Sequence, residues 1–337
     1  MNEKEIAEVK LLLQQAKKIV ILPHRNPDGD AMGSTLALYH FLQKKNYDVT
    51  VIAPNEFPDF LAWLPGSANV LIYEKNKESV LPVLQAADLI FTLDFNALHR
   101  VGEMEKDLLK LTAPFIMIDH HQAPDSYAKV TFSNVEYGST CEMIYDFLTY
   151  LGDTDSIDTT IATCIYTGIT TDSGSFRFPK TTSKTHRIIA DLLDKGVNNV
   201  AIHNHLFDNN SYSSLQLLGR ALQNMKVMPE QKTAYITLTQ EELDSFHYKK
   251  GDTEGIVNYG LSIKGIVFAV IFIENKDEKI IKMSFRSQGN FDVNIFARNY
   301  FNGGGHSNAA GGKSFQPMTE TVAYFEKLVK ENKELTT

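Results

Sequence analysis

Cysteine is nearly absent from this 337-residue chain: Cys141 and Cys164 are the only two, and both fall in apolar, helix-like stretches. Such residues read as buried thiols acting as small hydrophobes rather than as a disulfide, so nothing points to an oxidising compartment. Long apolar runs are missing as well. No stretch approaches the roughly 20 residues needed to cross a bilayer, and the charged start Met1-Asn2-Glu3-Lys4-Glu5 has no signal-peptide core. No membrane association is expected, and the cytoplasm is the expected location. Positive charge is in deficit, with 33 Lys and Arg against 41 Asp and Glu for a formal charge of -8. A protein that wraps long nucleic acid needs a basic face, because its affinity comes from phosphate neutralisation. Long duplex nucleic acid is therefore not an expected partner, while a short strand or a nucleotide gripped by a few local cations is. Internal repeats and low-complexity tracts are also absent. What remains is an ordinary globular composition, 43% hydrophobic and 22% charged, in a chain long enough for two domains.

The apolar residues are arranged in alternating patterns. A helix pattern runs from about Glu3 to Lys17. The run Ile19-Val20-Ile21-Leu22 then ends at Pro23 and reads as a strand buried on both faces. Similar runs recur at Val49–Ala53, Leu89–Leu93 and Phe115–Ile118, with helical stretches between them, notably Ala31–Lys44. That alternation predicts an α/β fold with a doubly wound parallel sheet over 1–197. Further helical patterns cover Gly138 to about Thr170, broken at Gly152-Asp153, and about Ser183–Gly196. The polar stretch 198–214 reads as a linker. Residues 215–337 carry new strand runs at Ala234–Leu238, Gly265–Ile273 and Ile280–Phe285 and an amphipathic helix at Val293–Tyr300, which predicts a second, smaller α/β domain.

The polar candidates fall where open α/β sheets bind ligands, outside the carboxyl ends of strands. His24, Asp28 and Asp30 follow the first strand, Asp94 ends the third, Asp119-His120-His121 ends the fourth, and Asp172 follows a helical stretch. Each alone has an ordinary explanation: Asp28 as a turn former, Asp94 as a helix cap, His24 as a core histidine. Together, clustered carboxylates would repel one another strongly without a cation. Oxygen and imidazole donors without thiolates suit two divalent ions, Mn²⁺ or Mg²⁺, better than a structural zinc, and a two-metal site points to phosphate-ester hydrolysis. In the second domain, Gly303-Gly304-Gly305-His306 reads as a flexible loop whose backbone can approach an anion. Arg286-Ser287 offers a planar cation beside it. Arg25 and Arg177 read equally as phosphate contacts and as surface arginines. Phe176 and Phe178 read as a core edge with base stacking as the alternative, and Trp63 as core or domain surface.

His24-Arg25-Asn26-Pro27-Asp28-Gly29-Asp30, Leu93-Asp94, Asp119-His120-His121 and Thr171-Asp172-Ser173-Gly174 resemble the four successive motifs of the DHH phosphoesterase superfamily. Gly303-Gly304-Gly305-His306 with Asn308-Ala309-Ala310-Gly311 resembles the signature of its DHHA1 domain. The likeness spans nearly the whole chain, and its length is most similar to the group of nanoRNA and pAp phosphatases. The resemblance implies that His24 and Asp28 hold one metal, that Asp30, His120 and Asp172 hold the other, and that Asp94 bridges them. It implies that His121 faces the substrate phosphate, with Asp119 anchoring an imidazole, and that Arg286, Ser287, Gly304, Gly305 and His306 contact substrate. The expected enzyme is a metal-dependent phosphohydrolase of short RNA oligonucleotides, pApA and pAp, in which a linker lets two domains close on a short substrate. An exopolyphosphatase or pyrophosphatase, a RecJ-like exonuclease and a catalytically dead nucleotide-binding regulator are the alternatives. Proteins of this type often dimerise, so a homodimer is an open expectation.

Overall fold

The computed structural model describes residues 1–249 and 251–336. The chain divides into two compact units, Met1–Asn209 and Asn210–Thr337.

The first unit runs α1 (Glu3–Gln15), β1 (Lys18–Leu22), α2 (Gly29–Lys44), β2 (Asp48–Ala53), β3 (Leu71–Ile72), α3 (Lys77–Gln85), β4 (Leu89–Leu93), α4 (Glu105–Leu108), β5 (Phe115–Asp119), β6 (Val130–Ser133), α5 (Thr140–Leu151), α6 (Thr159–Asp172), α7 (Ser183–Asp194) and α8 (Asn199–Phe207). Its six strands form one sheet in the order β3-β2-β1-β4-β5-β6, parallel throughout. The continuous apolar runs have the physical cause expected of them. Ile19 and Ile21 of β1 enter one core while Val20 and Leu22 enter another on the opposite face, because successive strand side chains alternate sides. Both faces are covered, as a doubly wound sheet requires. Of the edge strands, β3 is only two residues long and β6 alternates buried and half-buried positions. Strand order reverses between β1 and β4, and that switch point is where ligands bind in folds of this kind.

Beneath the switch point, α2, α5 and α6 approach one another closely. A Cβ on Gly33 would lie 2.6 Å from the Cys164 carbonyl, and one on Gly168 would lie 2.2 Å from Cys141 Sγ. These helical glycines permit the approach, and both cysteines are buried free thiols within it.

The polar stretch 198–214 is largely helical. Asn198 caps α8 by accepting from the Ala201 amide, and Ser211 caps the next helix by accepting from Ser214. Residues that look like linker are therefore helix caps in good part.

The second unit runs α9 (Tyr212–Gln223), β7 (Lys226–Met228), β8 (Thr233–Leu238), α10 (Gln240–Ser245), α11 (Asn258–Leu261), β9 (Phe268–Asn275), β10 (Ile280–Ser287), α12 (Val293–Tyr300), β11 (Gly304–His306), β12 (Ala309–Ser314), α13 (Met318–Glu331) and α14 (Lys333–Thr336). Its mixed sheet has the order β11-β12-β10-β9-β8-β7. A phenylalanine-rich core holds one face, including Phe268, Phe272, Phe285, Phe296 and Phe325.

The glycine run differs from its expectation as a flexible loop. Gly304–His306 is an edge strand paired antiparallel with Ala309–Gly311. The strands come so close that a Cβ on Gly303 would sit 2.0 Å from the Gly311 carbonyl and one on Gly305 2.5 Å from that of Ala309. The same absence of a Cβ that lets a loop flex here lets two backbones meet.

Candidate metal centre

Three imidazoles are oriented in the same way by their own neighbourhoods. His24 Nδ1 lies 2.9 Å from the Arg25 carbonyl, His120 Nδ1 3.2 Å from the Tyr137 carbonyl, and His121 Nδ1 2.7 Å from Asp119 Oδ1. Each partner is an acceptor, so each Nδ1 carries a hydrogen and Nε2 is the ring atom left to face the site. Tyr137 is itself held, with its hydroxyl on Asp146 and the Lys184 ammonium 4.3 Å from its ring centroid.

The carboxylates gather around those Nε2 atoms. His24 Nε2 faces Asp94 Oδ2 at 3.4 Å and Asp28 Oδ2 at 3.9 Å. His120 Nε2 faces Asp172 Oδ2 at 3.3 Å, Asp94 Oδ1 at 3.4 Å and Asp30 Oδ2 at 3.8 Å. Two sets result, His24 with Asp28 and Asp94, and Asp30 with His120 and Asp172, and within each the ligand atoms lie within 4.8 Å of one another. Asp94 turns one oxygen to each set. Asp119 and His121 form a third group with Asp94, but Asp119 is bonded through both oxygens to His121, including its amide at 3.1 Å. That makes Asp119 the anchor of His121.

Local structure explains how each candidate ligand is placed. Asp28 is the N-cap of α2: its Oδ1 accepts from the amides of Asp30 and Ala31, both at 3.0 Å, while Oδ2 faces His24. The turn reading and the ligand reading of Asp28 therefore use different oxygens of one side chain. Asp30 follows in the first turn of α2 and is fully buried. Its two oxygens accept from the Thr140 and Cys141 amides at the start of α5, at 2.6 and 2.9 Å. Asp94 leaves β4 with φ of +65°, a backbone conformation an aspartate adopts at a cost. Asp172 is the last residue of α6.

The electrostatics call for a cation. Burial, followed by the Asp94 charge, pushes the Asp30 carboxyl up to about 8. Burial and the Asp30 charge raise Asp172 well above the carboxylate range. Burial would also raise Asp94, but its bonds to His120 and His24 hold it well below that range. His120 rises to about 10: burial opposes this, and the Asp94 bond with the charges of Asp172, Asp94 and Asp30 prevails. A set of oxygen and imidazole donors with no thiolate that must otherwise retain protons to stay buried fits hard divalent ions.

Other sequence candidates fall elsewhere. Arg25 pairs with Glu74 at 3.1 Å, and the Arg177 side chain bonds the Gly174 carbonyl at 2.7 Å. Phe176 packs on Tyr166 and His186 at the core edge, whereas Phe178 is exposed. Trp63 stacks on His205 at 4.5 Å. In the second unit, strand register pairs both Arg286 and His306 with Ala309, so the two share one cross-strand row and one face of the sheet. Ser287 is buried, donating to the Phe291 carbonyl at 2.7 Å and accepting from Asn308 at 2.9 Å. The Gly305 amide donates to Asn294 Oδ1 at 3.0 Å. Sequence reasoning passed over Tyr137 and Thr140, and no local pattern marks either, since each acts on a residue distant in the chain. Among the described residues no helix is long and apolar enough to cross a membrane.

The model of the DHH family, N-terminal domain, matches residues 18–169, and that of the DHHA1 domain matches residues 231–333. The bifunctional oligoribonuclease and PAP phosphatase NrnA of Bacillus subtilis is 28% identical over 319 residues, 93% of this chain and 95% of that protein. Its namesake in Thermus thermophilus is 29% identical over 304 residues, 87% of this chain and 83% of that protein. An exopolyphosphatase-related protein from Bacteroides fragilis superposes with a TM-score of 0.95 at 41% identity, covering 99% of this chain and 98% of that one.

Proposed function

The chain belongs to the DHH/DHHA1 family of metal-dependent phosphoesterases, and we propose that it degrades short oligoribonucleotides, pApA among them, to mononucleotides and dephosphorylates pAp to AMP. The observation that carries this reading is Asp94, whose oxygens face two separate ligand sets. The likeness to the two oligoribonuclease and PAP phosphatase relatives over most of both chains supports the substrate class.

In this reading His24 and Asp28 would hold one divalent ion, Asp30, His120 and Asp172 would hold the other, and Asp94 would serve both, with Mn²⁺ as the expected ion ahead of Mg²⁺ or Co²⁺. Bound there, the two ions would supply polarisation of the phosphoryl oxygens and an activated attacking water. The chain's own residues do the rest. Asp119 holds His121 through Nδ1 and thereby aims Nε2, which in its protonated form can give a hydrogen bond or a proton to the departing oxygen. Arg286 and His306 contribute substrate contacts from their shared row with Gly304 beside them, while the Ser287 hydroxyl and the Gly305 amide, already bonded to Phe291, Asn308 and Asn294, shape that strand end. The complete donor set argues against a catalytically dead nucleotide-binding regulator. A second reading, exopolyphosphatase, is favoured by the name of the 41%-identical relative.

A hydrolysis panel of pAp, pApA, diribonucleotides, longer RNA, single-stranded DNA and polyphosphate, run with Mn²⁺, Mg²⁺ and Co²⁺, separates the two. The expected result is AMP and phosphate from pAp and mononucleotides from the shortest RNAs. Hydrolysis of polyphosphate alone would replace this reading by the second.

A further inference from the structure

The first turn of α5 touches carboxylates of both ligand sets. Its Thr140 and Cys141 amides hold the two oxygens of Asp30 at 2.6 and 2.9 Å. The Thr140 hydroxyl donates to Asp94 Oδ1 at 2.9 Å. Thr140 and Asp30 are fully buried, and Asp94 is nearly so. The hydroxyl is not needed to cap α5, because Ser139 Oγ already accepts from the Glu142 amide at 3.1 Å. It instead reaches a side chain 46 positions earlier in the chain.

We propose that Thr140 is a positioning residue of the metal centre, whose hydroxyl sets the rotation of the Asp94 carboxylate so that one oxygen serves each ligand set. The proposal rests on the reading of Asp94 as the bridge. The torsion that turns a carboxylate about its Cβ–Cγ bond is broad and weakly restrained, so an aspartate alone does not hold its oxygens to two different partners. A donor fixed on helical backbone supplies that restraint, and the β-branch of threonine limits the hydroxyl to few directions. A carboxylate oxygen has two acceptor sites, so Oδ1 can take the Thr140 hydrogen and still ligate an ion. The Asp30 clamp uses only backbone amides of α5, so changing the Thr140 side chain leaves it in place.

Titrating Mn²⁺ alone into the chelator-stripped full chain by calorimetry tests the assignment, with Thr140→Val, which keeps the shape and loses the donor, and Thr140→Ser, which keeps the donor. The wild type and T140S should take up two ions with like affinity. T140V should show at least one uptake step weakened about tenfold, the scale at which partners of metal ligands act, with a native circular dichroism spectrum. Wild-type affinity in folded T140V would overturn the proposal while leaving the metal centre standing. Should T140V not fold, Thr140→Ala against T140S gives the same comparison. No uptake by the wild type would overturn the metal-centre reading and this proposal with it.

Discussion

Asp94 Oδ2 lies 3.4 Å from His24 Nε2 and is the oxygen that faces away from His120. The relationship ties the ends of β1 and β4 together across the point where strand order reverses. The backbone of Asp94 is left-handed there, with φ of +65°, so the fold tolerates local strain at the one carboxylate common to both ligand sets.

Replacing that carboxylate should be the most damaging single change. Asp94→Ala is expected to lower kcat for pAp by more than the roughly 10–100-fold typical of partners outside the coordination shell, with fewer ions bound per chain by equilibrium dialysis. Near-normal turnover would contradict the assignment.

Asp119 calls for a different signature. Asp119→Asn keeps the shape but weakens the bond that orients His121, so kcat should drop roughly 10–100-fold while ion stoichiometry stays that of the wild type. Loss of an ion in this variant would make Asp119 a ligand instead.

Protons retained in the metal-free centre predict a pH dependence of stability. Asp30 is raised to about 8 by burial and the Asp94 charge, and His120 to about 10 by its carboxylate neighbours against the effect of burial. Both groups bind protons more tightly folded than unfolded, so stability falls as pH rises, for Asp30 from about 4 to 8 and for His120 from about 6.5 to 10. Melting curves of chelator-treated protein should shift to lower Tm from about pH 6 to 9, and added Mn²⁺ should flatten the trend. A Tm that rises with pH over this window would contradict the electrostatic account.

Two glycines in helices should respond with opposite signs. A Cβ at Gly168 would meet Cys141 Sγ at 2.2 Å and Asp30 Oδ1 at 2.8 Å. Gly168→Ala should therefore destabilise by about 1–3 kcal/mol through overpacking and weaken Mn²⁺ uptake. Gly219 in α9 has nothing within 4 Å, so Gly219→Ala should stabilise by about 0.5–1 kcal/mol. Urea unfolding of both variants provides the check.

In the second unit, Arg286→Ala should raise KM for pAp by about 10–100-fold, the scale of a lost hydrogen bond to a charged group, with a smaller change in kcat. A fall in kcat at unchanged KM would assign Arg286 to the reaction step itself.

Much of this architecture was legible before any coordinates. Strands buried on both faces announce themselves as continuous apolar runs, and β1, β2, β4 and β5 do so. The edge strands β3 and β6 escaped because strands of two and four residues hold too little pattern. Asn198 and Ser211 read as linker because the residues that cap helices also favour turns. Gly303 and Gly305 were legible as positions that exclude a Cβ, but sequence does not say whether the excluded space goes to motion or to a neighbouring strand. Asp28 was legible as a turn former and as a candidate ligand, and its two oxygens are placed for both, one on the α2 amides and one toward His24. Thr140 was not legible, since its partner is 46 residues away and its immediate neighbours describe only the start of a helix.

The central claim is that two ligand sets joined by Asp94 form one hydrolytic centre. It is tested most directly by following pAp hydrolysis and bound Mn²⁺ together as metal is returned to chelator-stripped protein. The account predicts two ions per chain at saturation and a rate that rises with occupancy of the second. Full activity with a single ion bound, or with none, would contradict it.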